Sequence, residues 1–429
     1  MMTQHLTQSD PLVAQLIEKE IKRQQEGLVM IPSENFASQA VLEATGSVLT
    51  NKYAEGYPER RYYTGNKYID EIEQLAIDRA KQLFNAEHAN VQPHSGSGAN
   101  MACYVAVLKP GDKILGMDLA HGGHLTHGSP VNFSGKTYQF IHYGVEKETE
   151  RIDMDRVRKI ALSERPKLLL SGITAYSRIV DFDAFASIAR EIDAYAMADI
   201  SHIVGLCLAG IHPNPTPSHD LVMTTTTKTL RGPRSAIILC KETDRLKHLY
   251  HPDEKKNLAQ LIDSAVFPGL QGGPLEHIIA AKAVSFAEAM KPEFKTYQTQ
   301  IVQNAKTLAE TLMEYGLRLV SGGTDNHLMI IDCTSLGITG KQGANALAEI
   351  GIYTNFNMIP YDTRKPFNPS GIRLGTPALT TRGFRETEMR VVGKLIADVI
   401  KHHTDTTVAE HARSIIHELV QKYPLYTEL

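Results

Sequence analysis

From about residue 71 to residue 241 the chain alternates short apolar runs with amphipathic segments. Helically spaced EIEQLAIDRAKQLF leads to ANVQ, and helical ANMACYVAVL leads to KILGM; TYQFIHY, KLLLSG, AYAMADI, DLVMTT and SAIILC follow, with FDAFASIAREI among the intervening helices. Runs this short and apolar, spaced by helices, are what parallel strands require, because crossover helices cover both faces of such a sheet. The pattern predicts an α/β fold with six or seven strands. Open α/β sheets bind their ligands at the carboxyl ends of the strands, so the residues just after each run are the first place to look for chemistry.

Composition narrows the function classes. The formal charge of -3, from 45 Lys+Arg against 48 Asp+Glu, gives no basic surplus to draw the chain to nucleic acid or to an anionic membrane. With no Trp, an aromatic groove for single strands is not expected either. The longest apolar runs, about 4 to 7 residues, fall far short of the roughly 20 that span a bilayer, and MMTQHLTQSDPLVAQLIEKE lacks the apolar core of a signal peptide. A cytoplasmic protein with no membrane and no nucleic-acid partner is expected. Cys103, Cys207, Cys240 and Cys333 are too scattered for a paired metal-ligand spacing and read as buried thiols.

Outside the alternating region, residues 8–24 and 38–49 read as helices flanking GLVMIPSEN, with too little apolar material for a domain, so this stretch is expected to wrap onto another body. NKYAEGYPERRYYTGNKY, Asn51 to Tyr68, has no periodicity and reads as a loop whose phenols and charges suit a site or an interface. The charged stretch KETDRLKHLYHPDEKKNLAQL reads as helical and partly exposed, and 274–316 as one long helical segment. Beyond it lie LRLVSG, HLMIIDC, helical KQGANALAEI, the loop NFNMIPYDTRKPFNPSGIRLGT and two helices, consistent with a small α+β unit. The expected organisation is an arm over 1–50, a large domain over 51–285 and a small C-terminal domain over 286–429.

Five stretches carry chemical content. In TTTTKTLRGPR, Lys228 follows a strand, where burial and neighbouring cations such as Arg231 and Arg234 can free its amine to attack a carbonyl. Asp199 ends AYAMADI about one βα unit earlier, and such a carboxylate can hold a proton on a heteroaromatic nitrogen. HSGSGAN, His94 to Asn100, combines glycines, the hydroxyls of Ser95 and Ser97 and a following helix N-terminus, a credible phosphate cradle that is neither a dinucleotide fingerprint nor a P-loop. HGGHLTHGS spaces His121, His124 and His127 three apart; they could bind zinc, or one could stack on a planar cofactor or transfer a proton. No H-E-x-x-H and no cysteine pair accompanies them, and no metal is expected. Arg373, in SGIRLGTPALTTRG, is suited to clamping a carboxylate with its guanidinium fork. Each has an ordinary reading as well: a turn lysine, an aspartate capping a helix, a small-residue turn, a surface arginine. Jointly they favour an anionic aromatic cofactor held covalently by Lys228.

These residues belong to longer motifs. IPSENFAS, NKYAEGYPERRYY, VQPHSGSGAN, LAHGGHLTHGSPVNFSGK, TTTTKTLRGPR, SAVFPGLQGGP, SGGTDNH and SGIRLGTPALTTRG cover nearly the whole chain, which resembles the serine hydroxymethyltransferases. The resemblance implies a fold-type I pyridoxal-phosphate-dependent transferase: a large domain with a mainly parallel seven-stranded sheet and a small C-terminal α+β domain. The implied activity is reversible transfer of the serine hydroxymethyl carbon to tetrahydrofolate, giving glycine and 5,10-methylenetetrahydrofolate. It implies that Lys228 forms the Schiff base with pyridoxal 5'-phosphate, that Asp199 pairs with the ring nitrogen, that His124 stacks on the ring, and that Thr174 and His202 lie near the phenolic oxygen. Ser97 and Gly98 would hold the phosphate, with Tyr53 and Gly272 or Gly273 of the partner subunit. Arg373 would bind the amino-acid carboxylate with Ser33 and the partner's Tyr63. Glu55 would manage proton transfer, and Tyr62, Leu119, Gly123, Leu125 and Asn357 would surround the folate. A homodimer with active sites at its interface is implied, dimer against tetramer being left open.

The sequence departs from the family's pattern at several points. Thr227 stands where the family carries His before the Schiff-base lysine, Thr174 where Ser is commoner, and Lys67 where a glutamate is usual. Ser235 and Ala236 replace two glycines after R-G-P-R, and the charged segment Lys241 to Leu261 is longer than in short bacterial members. The departures motivate two rival readings: a divergent pyridoxal-phosphate aldolase, transaldolase or α-methylserine hydroxymethyltransferase, and a non-enzymatic interaction protein.

Overall fold

A computed structural model describes residues 4–427. It has two compact units: one formed by residues 35–299, the other joining the stretch up to Glu34 with the residues from Gln300 onward.

In the first unit the predicted strands form one sheet: β1 (His88–Asn90), β2 (Lys113–Met117), β3 (Gln139–Tyr143), β4 (Leu168–Gly172), β5 (Tyr195–Asp199), β6 (Leu221–Thr225) and β7 (Ala236–Cys240), in the order β1-β7-β6-β5-β4-β2-β3. All neighbours pair parallel except those of β7, which runs antiparallel to both β6 and β1. The sheet is therefore mixed. The reason lies in the connection: Thr226 to Ser235 is too short for the crossover of a dozen or more residues that a parallel return needs.

Strands β4 and β5 are buried along their whole length, as strands covered on both faces must be. Alternate positions share a face: Leu168 and Leu170, Tyr195 and Met197, and Leu221 and Met223 join one core with Ala99, Ala102, Cys103 and Val107 of the helix Gly96–Val107. All four cysteines are free and buried. The stretch FDAFASIAREI becomes the helix Phe182–Glu191, capped by Asp181, whose side chain accepts from the Ala184 amide at 3.0 Å. It buries Phe182, Phe185, Ala186, Ile188 and Ala189, and each fully buried phenylalanine contributes about 1.5–3 kcal/mol.

Two long helical readings are interrupted by proline. The span 274–316 is two helices, Glu276–Ala289 and Pro292–Glu314, because Pro292 lacks the N–H that would continue the first and favours the opening turn of the second. The charged stretch after β7 is helical only over Lys247–Tyr250 and Leu258–Ser264, with Pro252 in the irregular part between them. The loop Asn51–Tyr68 contains one short hairpin, Gly56–Tyr57 against Arg60–Arg61.

The second unit is built on an antiparallel sheet of β8 (Arg318–Leu319), β9 (Leu328–Asp332), β10 (Asn355–Asn357) and β11 (Gly371–Gly375), ordered β8-β9-β11-β10. The N-terminal stretch adds Leu28 and Met30 to its core, and Leu28–Val29 pairs in parallel with Ile352–Tyr353. Arg382 fastens the same stretch, donating to the carbonyls of Gly27 at 2.8 Å, Gln25 at 2.6 Å and Tyr423 at 2.5 Å. No helix among the described residues is long and apolar enough to cross a membrane.

Candidate active site

Strand β5 ends at Asp199, and β6, beside it in parallel register with Asp199 opposite Met223, ends three residues before Lys228. The Asp199 carboxylate is buried, 6% exposed, and fully engaged. One oxygen accepts from the Ser201 amide at 3.0 Å; the other accepts from Asn100 Nδ2 at 3.0 Å and lies 3.2 Å from His127 Nε2. The His127 tautomer follows from its other nitrogen. Nδ1 accepts the His124 amide at 3.2 Å, so in the neutral ring the proton sits on Nε2 and points to Asp199. Burial alone would raise the Asp199 carboxyl, but the His127 hydrogen bond, the fields of His127 and His124 and the Ser201 side chain outweigh it and hold the group well below the usual carboxylate range. Asp199 is thus an ionised carboxylate at the carboxyl edge of the sheet.

In the histidine loop only His121 stands apart, the His124 and His127 rings meeting edge to face at 5.7 Å. His121 Nδ1 accepts from the Val145 amide at 3.1 Å, His124 Nδ1 lies 2.7 Å from Thr126 Oγ1, and His127 turns to Asp199. Thr126 Oγ1 also accepts from Asn100 at 2.8 Å, which ties His124 to the carboxylate through two side chains. Lys228 is half-buried; its ammonium donates to Thr225 Oγ1 at 3.1 Å, and Asn35 holds its carbonyl at 2.9 Å. Arg231 stacks over Tyr297, 4.8 Å from the ring centre. His202 is buried just after β5, and Thr174 follows β4, its amide bonded to the Gly122 carbonyl at 2.8 Å.

HSGSGAN caps a helix. Ser95, in extended conformation, accepts from the Gly98 amide at 3.2 Å and opens the helix Gly96–Val107, with Ser97 exposed in its first turn. A Cβ placed on Gly98 would stand in ordinary contact with Ser95 Oγ at 3.5 Å and Gln271 Oε1 at 4.0 Å. Leu119 and Leu125 are exposed on the histidine loop, whereas Gly123 is locked against the backbone: a Cβ there would stand 2.2 Å from the Met117 carbonyl oxygen. Tyr53, Glu55, Tyr63, Gly272 and Gly273 form their own cluster. The two tyrosine rings meet edge-on at 5.4 Å, Gly273 faces the Tyr53 ring and Gly272 faces the Glu55 carboxylate. Tyr62, largely exposed, leans on Phe267 at 5.9 Å.

In the second unit Arg373 occupies the middle of β11, 7% exposed, with Nε donating to Asn355 Oδ1 at 3.1 Å; burial pulls it down to about 10, so it stays a cation at neutral pH. Asn357 ends β10, and Ser33 sits in the turn after Leu28–Val29. Of the departures, Thr227 is half-buried, Lys67 is exposed at the start of the helix Lys67–Phe84 with its ammonium 5.3 Å from the Tyr68 ring, and Ser235 is buried.

Sequence reasoning missed Asn100 and His127 as partners of Asp199, and Thr126 as the link between Asn100 and His124. The signal was present in HSGSGAN and HLTHGS, but nothing local says that two loops so far apart in the chain converge on one carboxylate.

The residues suit pyridoxal phosphate. An ionised buried carboxylate complements a protonated ring nitrogen, the neighbouring Asn100 Oδ1 is buried with no hydrogen-bond partner among the described residues, and the exposed Ser97 in the first turn of a helix suits a phosphate. A lysine three residues past one strand and such a carboxylate at the end of its parallel neighbour are what a pyridoxal-phosphate-dependent enzyme requires. The sequence profile described as Serine hydroxymethyltransferase matches residues 6–396. The chain is also 55% identical to a protein of Nostoc sp. (strain PCC 7120) named serine hydroxymethyltransferase, over 99% of this chain and 96% of that one. The chain belongs to the serine hydroxymethyltransferase family, whose members depend on pyridoxal phosphate and interconvert serine and glycine with tetrahydrofolate as co-substrate.

Proposed function

We infer that this chain moves the serine hydroxymethyl carbon reversibly to tetrahydrofolate, leaving glycine, and that Asp199 and Lys228 are the centre of that chemistry. The carrying observation is the Asp199 carboxylate, kept ionised in a buried setting by Ser201, Asn100 and His127. Such a group keeps a ring nitrogen protonated. Pyridoxal phosphate, when bound, supplies the aldehyde that takes up an amine and the conjugated ring that accepts the electron pair from a breaking Cα bond.

The chain's residues do the rest. Lys228 would hold the aldehyde carbon through its amine nitrogen, be freed as an amine when the amino acid's own amine takes its place, and take the carbon back when the product amino acid leaves. His124, tethered through Thr126, would stack on the ring, and Thr174 and His202 would steady its phenolic oxygen. Ser97 and Gly98 bind the phosphate at the helix N-terminus, where backbone amides and the helix dipole favour anions. Arg373 clamps the amino-acid carboxylate with Ser33, which fixes the torsion of the bond to be broken. The Tyr53, Glu55, Tyr63, Gly272 and Gly273 cluster serves the site of a second copy in a homodimer, with Tyr53 and the glycines at the phosphate, Tyr63 at the carboxylate and Glu55 at the proton transferred near the folate. Tyr62, Leu119, Gly123, Leu125 and Asn357 face the folate. The fold is of fold-type I, and the protein is cytoplasmic.

Borohydride reduction of the holoprotein followed by peptide mapping tests the centre. The label is expected on Lys228 alone, and Lys228→Ala is expected to abolish it. Serine turnover should require tetrahydrofolate and exceed cleavage of threonine or α-methylserine. A label on another lysine, or serine cleavage indifferent to folate, would overturn the assignment.

A further inference from the structure

The stretch Val91–His94, between β1 and the cradle helix, is gripped by side chains at nearly every backbone polar group. Lys282, on the helix Glu276–Ala289, is 1% exposed, and its ammonium donates to the carbonyls of Val91 at 2.5 Å, Ala236 at 2.9 Å and Pro93 at 3.3 Å. The Pro93 carbonyl receives a second side-chain donor, Ser235 Oγ, at 2.9 Å. Gln271 closes the other edge, donating to the Gln92 carbonyl at 2.9 Å and accepting from the His94 amide at 3.0 Å.

A cation this deep is costly unless its donors are satisfied. Three carbonyl acceptors match the three N–H groups of an ammonium, whereas a neutral amine could serve only two. Burial pulls Lys282 down to about 7, with Glu73 and Glu276 opposing the shift. What this buried cation holds is the last extended segment before Ser95, the residue that caps the cradle helix and accepts from the Gly98 amide. Ser235 is one of the positions where this chain departs from its family's glycine, and its hydroxyl reaches that same segment.

We propose that Lys282 and Ser235 are positioning residues for the phosphate cradle: together they fix the Pro93 carbonyl and so aim the amides of the helix that starts at Gly96. The proposal rests on the reading that Ser97 and Gly98 bind the cofactor's phosphate. Neither residue touches the cofactor; both act through the backbone of residues 91–94.

The test compares pyridoxal phosphate with pyridoxal, which shares the ring and aldehyde but lacks the phosphate. Equilibrium binding to the apoprotein is measured by absorbance for the wild type, Ser235→Ala, Lys282→Met and Ser97→Ala. Ser235→Ala is expected to weaken pyridoxal phosphate about fivefold, the worth of one hydrogen bond, with pyridoxal unchanged; Lys282→Met is expected to widen that gap to 50-fold or more, on the order of two to three such bonds. A merely structural role would weaken both ligands alike, and that result overturns the proposal. If Lys282→Met does not fold, Ser235→Ala decides alone: an unchanged ratio of the two affinities refutes the role of Ser235. If Ser97→Ala also leaves the ratio unchanged, the failure belongs to the underlying cradle reading.

Discussion

Replacing His127 by leucine tests the electrostatic argument at the centre of the site. The substitution keeps a buried side chain of comparable bulk but removes two contacts: the donor to Asp199 at 3.2 Å and the acceptor for the His124 amide at 3.2 Å. A hydrogen bond to a charged group is worth about 1.5–3 kcal/mol, and an orphaned buried donor costs about 1–3 kcal/mol. His124 is only half-buried, so water can recover part of the second loss; the expected destabilisation of the apoprotein is about 2–4 kcal/mol. The Asp199 carboxyl should rise and still be ionised at neutral pH, because Asn100 and Ser201 remain. The sign follows from linkage. Asp199 is depressed in the folded protein, so its contribution is fully present above the unfolded value of about 3.9 and is lost as pH falls through the folded value. The gap between wild type and variant should therefore be complete at neutral pH and narrow in acid. Urea unfolding at fixed protomer concentration measures the gap, and a carbon-13 carboxyl titration measures the shift. Equal unfolding midpoints with an unmoved Asp199 titration would refute the claim that His127 sustains the carboxylate.

Two further outcomes follow from burial and charge. Arg373→Lys keeps the charge but loses the planar fork, and steady-state kinetics should show serine kcat/KM falling by about 30- to 1,000-fold, the equivalent of about 2–4 kcal/mol, carried largely by KM; a change below threefold would remove Arg373 from the carboxylate site. All four cysteines are buried, and burial raises Cys103, Cys207 and Cys240 and pushes Cys333 up to about 12, so an aromatic disulfide reagent should modify the native protein at pH 8 far more slowly than the urea-unfolded chain. Rapid labelling of any one of them in the native state would contradict the packing around it.

The strands were legible as local apolar runs, and Asp199 and Lys228 because one ends such a run and the other follows one within three residues. Their helices were legible for the same reason, except where Pro252 and Pro292 interrupt a pattern that hydrophobic spacing alone cannot see. Long-range partners were not legible. Asn100 and His127 reach Asp199 from 99 and 72 residues away, and only the folded sheet brings the helix that follows β1 and the loop that follows β2 to the end of β5. The mixed direction of the sheet was equally hidden, since a run such as SAIILC looks the same whichever way it lies.

Ser235 is the sharpest case of the limit. In the sequence, replacing a glycine there reads only as reduced flexibility at the start of a strand. In the structure, β7 runs against β6 and pairs with β1, so the residue before β7 lies beside the one that leaves β1 for the cradle, and the added hydroxyl lands on the Pro93 carbonyl. The same antiparallel reversal puts the Ala236 carbonyl within reach of Lys282. The strand direction that the periodicity could not supply is thus what puts the Ser235 hydroxyl on the segment that leads into the helix Gly96–Val107.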